Sequence, residues 1–198
     1  MTQASFKSLT KPLNFVEFLA WEADGAQYDL LADGSLIEVP EEAEINSAIA
    51  LELAFWLAEF VRRRLIKINC LTLEVEPVGD NRVNRRPDLA VIKPEHLEIG
   101  TFAKRTALQR GELPPRFVAE VVSPGEAGYQ RDYVWKRQQY QDWQIPEYWI
   151  IDPHQEQLTV LLLKNGIYQE SIYQGAQPVK SREFPDLKVN LENILGRA

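Results

Sequence analysis

Three observations predict an α/β fold with a mostly central mixed sheet, flanked by helices and carrying β-hairpins near both ends. Short runs rich in Val, Ile and Leu recur through the middle of the chain, bounded by turn-forming residues. Between them lie segments of helical spacing or of polar and aromatic, helix-compatible composition. Asp33-Gly34 and Asn165-Gly166 each mark a tight hairpin turn. At 198 residues and 45% hydrophobic, the chain suits one domain burying about two-thirds of its unfolded surface. The expectation is therefore a single domain over 1–198, with 1–13 a candidate disordered tail.

The elements follow in order. NFVEFLAW predicts a short helix, with Asn14 as N-cap and Glu17 three residues on completing a capping box. YDLLADGSLIEV predicts a hairpin. EINSAIALELAFWLAEFVRRRL predicts a longer helix whose apolar stripe is Ile45, Ile49, Leu53, Trp56, Leu57, Phe60 and Val61, with arginines at the end where the helix dipole favours cations. KINCLTLEV (67–75), PDLAVI (87–92) and RFVAEVV (116–122) read as strands of a central sheet. GEAGYQRDYVWKRQQYQDW is helix-compatible until Pro146, EYWIID (147–152) is again strand-like, QLTVLLLKNGIYQESIY is a hairpin, and FPDLKVNLENIL closes the chain.

Charge and composition exclude several function classes. A net charge of -7 and a pI near 5.0 oppose a protein that coats nucleic acid with a broad basic field. A local basic cleft remains open, since positive charge clusters in VRRRLIK, NRVNRRPD and KRTALQR. Cys70, the single cysteine, cannot form an intrachain disulfide or a Cys-based zinc site, and its apolar setting predicts core packing. MTQASFKSLTKPLN has no apolar stretch of signal-peptide length, and no run of about 18 apolar residues occurs, so the expectation is a soluble cytoplasmic protein with no membrane partner. GxxxxGK[ST] is absent, and His96 and His154, in polar contexts, are expected at the surface.

Two carboxylates stand out because they lie in apolar strands: Asp88, opening PDLAVI, and Glu120, inside FVAEVV. Burying an ionised carboxylate alone costs several kcal/mol, so each needs a cation, a donor or solvent. On neighbouring strands they would converge, and hard oxygen ligands suit Mg²⁺ or Mn²⁺. The plainer alternative is a salt bridge from each to Arg85, Arg86 or Lys136. Asp132, Lys136 and Tyr140 follow at i, i+4 and share one helix face, where a surface Asp-Lys pair is the plainer outcome.

RRPDLAVI, FVAEVVSP, DYVWKRQQY and IPEYWIID, in this order and spacing, resemble the Uma-two family of restriction-endonuclease-type proteins, common in cyanobacteria, within the PD-(D/E)xK superfamily. The resemblance implies a restriction-endonuclease-like core and a metal-dependent hydrolase cutting the phosphodiester bonds of DNA. It assigns Asp88 and Glu120 as the metal-binding acids and Lys136 as the catalytic lysine. The superfamily's lysine is expected two residues after the second acid, where this chain has Val122; in the family it commonly comes from the following helix, which fits Lys136 with Tyr140 one turn on. Asn46 stands where many relatives carry histidine. Glu74 and Glu38 are weaker candidates, more in keeping with structural roles than with ligation.

A rival reading keeps the fold without catalysis, as a nucleic-acid-binding or assembly protein. Homodimerisation is expected, because nucleases that cut both strands of a duplex favour two-fold symmetry and because YWII and TVLLL look like exposed apolar segments.

Overall fold

The computed structural model describes residues 6–21, 25–39 and 43–197. Of the candidate disordered tail, residues 1–5 lie outside these.

A six-stranded mixed sheet forms the centre, in the order β12-β11-β10-β9-β7-β4. Its strands are β4 (Ile66–Ile68), β7 (Leu89–Val91), β9 (Phe117–Val121), β10 (Glu147–Asp152), β11 (Gln157–Lys164) and β12 (Ile167–Tyr173). β9 and β10 are parallel and the other neighbours antiparallel. A parallel pair needs a crossover, and the helical stretch 126–142 supplies it. That stretch comprises α4 (Glu126–Tyr129), a π-helical segment (Gln130–Lys136) and α5 (Arg137–Asp142).

Every residue of β9 and β10 is buried, as expected of central strands covered on both faces. YWII and the TVL of TVLLL are therefore core rather than exposed segments, and Leu162 and Leu163 pack against that core. The dimer expectation loses the two segments offered for it as exposed apolar surface. Ser123, just past β9, receives the helix start closely: a Cβ at Gly128 would collide with the Ser123 carbonyl oxygen, so glycine sets how near the helix lies to the strand end. At the β11–β12 turn, Asn165 and Gly166 have φ of 52° and 81°, the pair of positive values that a type I′ turn requires.

The N-terminal part follows the sequence reading. The helix α1 (Phe15–Ala20) has Asn14 and Glu17 bonded reciprocally as a capping box. β2 (Tyr28–Leu30) and β3 (Leu36–Glu38) form the hairpin, with β1 (Phe6–Lys7) on the other side of β3. A small second core of Phe15, Tyr28, Leu30 and Leu36 lies beneath them.

Four expectations need correction. KINCLTLEV is two strands: Asn69 turns the chain with φ of 50°, leaving β4 in the main sheet and sending β5 (Thr72–Glu74) to a separate sheet with β6 (Asn84–Arg85) and β8 (Ala107–Leu108). Cys70 sits on this turn and is exposed. The long helix, α2 (Glu44–Leu57), ends before Phe60; it buries Asn46, Ile49, Ala50, Leu53, Ala54 and Leu57, while Ile45 and Phe60 face solvent. Ile49, Leu53 and Leu57 lie in the buried stripe as expected, and alanines at 50 and 54 complete it, so the expected stripe fails only towards its ends, at Ile45 and Phe60. His96 is fully buried: Nδ1 accepts the Lys93 N–H at 3.1 Å, and Nε2 lies 2.9 Å from the Leu113 carbonyl oxygen and donates to it in the matching tautomer. His154 is exposed as expected. Among the described residues, no helix is long and apolar enough to cross a membrane.

Candidate active site

The antiparallel register of β7 on β9 pairs Leu89 with Ala119 and Ala90 with Val118, so Asp88 stands opposite Glu120 one step further. The two acids are bonded into each other's strand: the Val121 N–H donates to Asp88 Oδ2 at 2.6 Å, and the Asp88 N–H lies 3.4 Å from Glu120 Oε2. Side chains alternate along a strand, and Glu120 shares its face with Val118 and Val122. The helical stretch 126–142 covers that face.

Three residues of this stretch converge there. Lys136 Nζ lies 2.8 Å from Glu120 Oε2 and 2.8 Å from Asp132 Oδ1, and the Tyr140 hydroxyl donates to Glu120 Oε1 at 2.5 Å. Asp132, Lys136 and Tyr140 thus share a face, as their i, i+4 spacing predicts. The Asp132–Lys136 pair is not a surface pair, however: Asp132 and Glu120 have no exposed surface and Lys136 almost none. The plainer alternative of an ion pair holds for Glu120 with Lys136, while Asp88 does not bond to Arg85 or Arg86. Tyr148 of β10 packs edge-on to Tyr140 and donates to the Asp132 carbonyl oxygen at 3.0 Å.

Electrostatics follow from burial. Desolvation pushes the Glu120 carboxyl above the usual range, with Lys136 opposing it. Burial alone would lower Lys136, yet Asp132 and Glu120 hold its ammonium above the ordinary lysine value. Burial likewise disfavours ionised Asp132, but Lys136 and Arg131 overcome this and hold its carboxyl low. Burial, then the Glu120 charge, pushes Tyr140 well above its ordinary value, so it serves as a donor.

The centre opens into a cleft of about 510 Å³, lined by Asp88, Lys136, Arg131, Arg82, Arg85, Arg86, Asp29 and Glu38 among others. Glu38 is exposed on the cleft wall at the end of β3. Glu74 is elsewhere employed, its Oε2 accepting the Arg110 N–H at 3.0 Å, in line with a structural role. Asn46 reaches the site from behind: its Nδ2 lies 3.5 Å from the Val121 carbonyl oxygen and 3.4 Å from Ser123 Oγ. Sequence reasoning missed Arg131, whose Nε and Nη2 donate to Asp132 at 3.1 and 2.9 Å. It also missed the π-helical segment, a conformation rare in proteins, frequent at functional sites and without a compositional signal.

Whether a divalent cation fits can be judged from the donors. Mg²⁺ takes oxygen ligands and usually keeps several waters, binding through one or two carboxylates. Asp88 and Glu120 provide two, side by side, and Asp88 lines the cleft. Among the described residues here, the carboxylates of Asp88, Glu120 and Asp132 stand with the cations Lys136 and Arg131. Among the described residues, no group of three or more His, Cys, Asp or Glu forms a metal cage. The donors thus fit an open, water-rich site rather than a closed one.

A crystal structure described as "a putative nuclease belonging to DUF820", from Anabaena variabilis, is similar to this chain, with a TM-score of 0.64, 14% sequence identity, and coverage of 94% of this chain and 99% of that one. At this identity the likeness concerns the fold, which is that of a nuclease-type structure. No functionally curated protein matches the sequence. The model of the Uma2 family, described as "Putative restriction endonuclease", matches residues 15–192. The match spans nearly the whole chain and every element around Glu120, and the chain belongs to the Uma2 family.

Proposed function

We propose that this protein is a metal-dependent nuclease that hydrolyses phosphodiester bonds of DNA, with Asp88 and Glu120 as ligands for Mg²⁺ or Mn²⁺. The observation that carries the reading is the pairing of Asp88 and Glu120 across adjacent strands beneath a cleft, with the Lys136 ammonium 2.8 Å from Glu120. A bound divalent ion would polarise the scissile phosphate and supply hydroxide near neutral pH by lowering the pKa of its water.

The chain's own groups have separate tasks. Tyr140, bonded to Glu120 Oε1, fixes the carboxylate's rotamer and leaves its second oxygen to Lys136. Lys136, held between two carboxylates, stands as a cation rather than a base, and stabilises negative charge growing on the phosphate. Val122, where the superfamily lysine would stand, is buried; the helix delivers the ammonium to Glu120 instead.

Cleavage of supercoiled plasmid and of a labelled single strand with Mg²⁺ or Mn²⁺ tests the reading. The expected result is metal-dependent nicking lost in Asp88→Ala and Lys136→Ala. Calorimetry on Glu120→Gln should show weakened metal binding in a folded protein. No cleavage of either substrate with either metal would favour a nucleic-acid-binding or assembly role.

A further inference from the structure

We infer that Arg131 is the residue that grips a backbone phosphate of the substrate strand, and that Asp132 is the positioning residue that aims it. The inference rests on the nuclease reading and adds a binding residue to the two acids, Lys136 and Tyr140.

The cations lining the cleft are not equivalent. Arg85 is spent: Nη1 and Nη2 donate to Asp80 at 2.9 and 2.8 Å, Nε donates to Gln139 at 2.7 Å, and its side chain is 2% exposed. Arg82 and Arg86 are tied to Asp29, and Arg82 also to Asp80, with 22% and 21% exposure. Lys136, at 8%, lies beneath the cleft between two carboxylates. Arg131 is the most open of the five at 34%, and it lines the cleft beside Asp88 and Lys136.

The manner of its anchoring leaves one donor nitrogen. Nε and Nη2 form a fork on Asp132, with Nη2 also 3.2 Å from Ser123 Oγ, and Nη1 bonds to no described group. Asp132 has no exposed surface and is itself fixed by Lys136, so the guanidinium plane is set before any ligand arrives. With the Nε–Nη2 edge on Asp132 and Nη2 also directed at Ser123 Oγ, Nη1 is the donor left to meet a phosphate oxygen, at a charged and pre-oriented guanidinium. The two carboxylates on Lys136 carry twice the charge of the ammonium between them, and Asp132 also joins the buried lysine to the cleft-facing arginine. The substrate phosphate would then meet Arg131 on the wall and Lys136 beneath, flanking Asp88.

The test uses the full chain and a 5′-fluorescein-labelled 12-residue DNA strand, with Ca²⁺ in place of Mg²⁺ to slow cleavage. Anisotropy should show Arg131→Ala binding at least tenfold more weakly than wild type, with a salt slope lower by about one. Arg131→Lys should recover part of the affinity, and Asp132→Asn should weaken binding without changing the salt slope. Arg116→Ala, which removes the same charge from a residue paired with Glu183 outside the cleft, should bind as wild type does. Calorimetric Mg²⁺ affinity should persist in Arg131→Ala. Equal affinity and salt slope in wild type and Arg131→Ala would overturn the assignment while leaving the nuclease reading standing, as would an equal loss in Arg116→Ala. A wild type that binds neither Mg²⁺ nor the strand would overturn both.

Discussion

Two ion clusters face the same cleft, and they are built on opposite principles. In one, Arg82, Arg85 and Arg86 outnumber Asp29 and Asp80, and the contacts are guanidinium forks: Arg85 on Asp80 through two nitrogens, Arg82 on both acids, Arg86 on Asp29. In the other, Asp88, Glu120 and Asp132 outnumber Lys136 and Arg131. The arginine-rich cluster ties elements together. It links the β2–β3 hairpin, through Asp29 and Asn84, to β6, and through Gln139 to the helix over the sheet. Burial disfavours ionised Asp80, but Arg85 and Arg82 prevail and hold its carboxyl low, as a structural clamp requires. The acid-rich cluster ties elements too, but it holds the buried Glu120 by a lysine ammonium and a tyrosine hydroxyl, and its one guanidinium fork, Arg131 on Asp132, stands at the cleft. Acids outnumber cations among the named residues of the second cluster and cations outnumber acids in the first, and this difference in composition is what supports the proposal of a cation site at the second.

The contrast is broken most forcefully at Lys136. Lys136→Met would leave Glu120 and Asp132 buried without their shared cation and should cost about 3–5 kcal/mol of stability, read as a lower denaturation midpoint. Glu120→Gln combined with Lys136→Met should lose less than the single change, because no uncompensated charge is left on Glu120; a larger loss in the double variant would show that the pair is a clamp like its neighbour. Arg85→Ala should cost about 2–3 kcal/mol, since Asp80 keeps Arg82 but loses a two-nitrogen partner. That variant should keep Mg²⁺ binding. The clamp and the centre are then separable, stability moving with one and ligand binding with the other.

A smaller effect sharpens the same contrast. If Asp88 and Glu120 take up a cation, Mg²⁺ at about a hundred times its dissociation constant should stabilise the wild type by about 2.7 kcal/mol, seen as a rise in thermal midpoint. Asp88→Asn should abolish the rise and Arg85→Ala should keep it. An equal rise in Asp88→Asn would locate the cation elsewhere.

These differences also mark what a sequence can convey. Asp88, Glu120, Lys136 and Tyr140 were legible because a carboxylate in an apolar strand and an i, i+4 file on a helix are local patterns with one geometric meaning. The central strands, the capping box at Asn14 and both hairpin turns were legible for the same reason. Arg131 was not, since its meaning depends on Asp132 being buried, and Asp132 read as the exposed partner of Lys136. KINCLTLEV read as one strand because positive φ at an asparagine leaves no trace in hydrophobic pattern. The buried face of α2 was misplaced at its ends because alanines, weak in any hydrophobicity count, complete it. Which donors at this cleft remain unspent is a property of the three-dimensional arrangement rather than of spacing.

His96 carries the smallest prediction, and it falls outside both clusters. The ring is buried on the segment after β7, accepting from the Lys93 N–H and donating to the Leu113 carbonyl oxygen, so it folds as the neutral tautomer. Burial depresses its pKa below the ordinary value near 6.5, with the Leu113 carbonyl opposing. The unfolded chain therefore binds a proton at a pH where the folded chain does not, and stability must rise with pH across that interval. The contribution is complete above about pH 6.5 and is lost as pH falls through the depressed folded value, where protonation turns the Lys93 contact from acceptor to donor facing donor. His96→Gln cannot titrate. Its stability should be lower than wild type at pH 8 and should decline less steeply between pH 7 and 5, in urea titrations carried out at each pH. Glu120 and Asp132 titrate alike in both proteins, so parallel slopes would mean that His96 folds with its proton on, and that its ring is held by something other than the two backbone groups beside it.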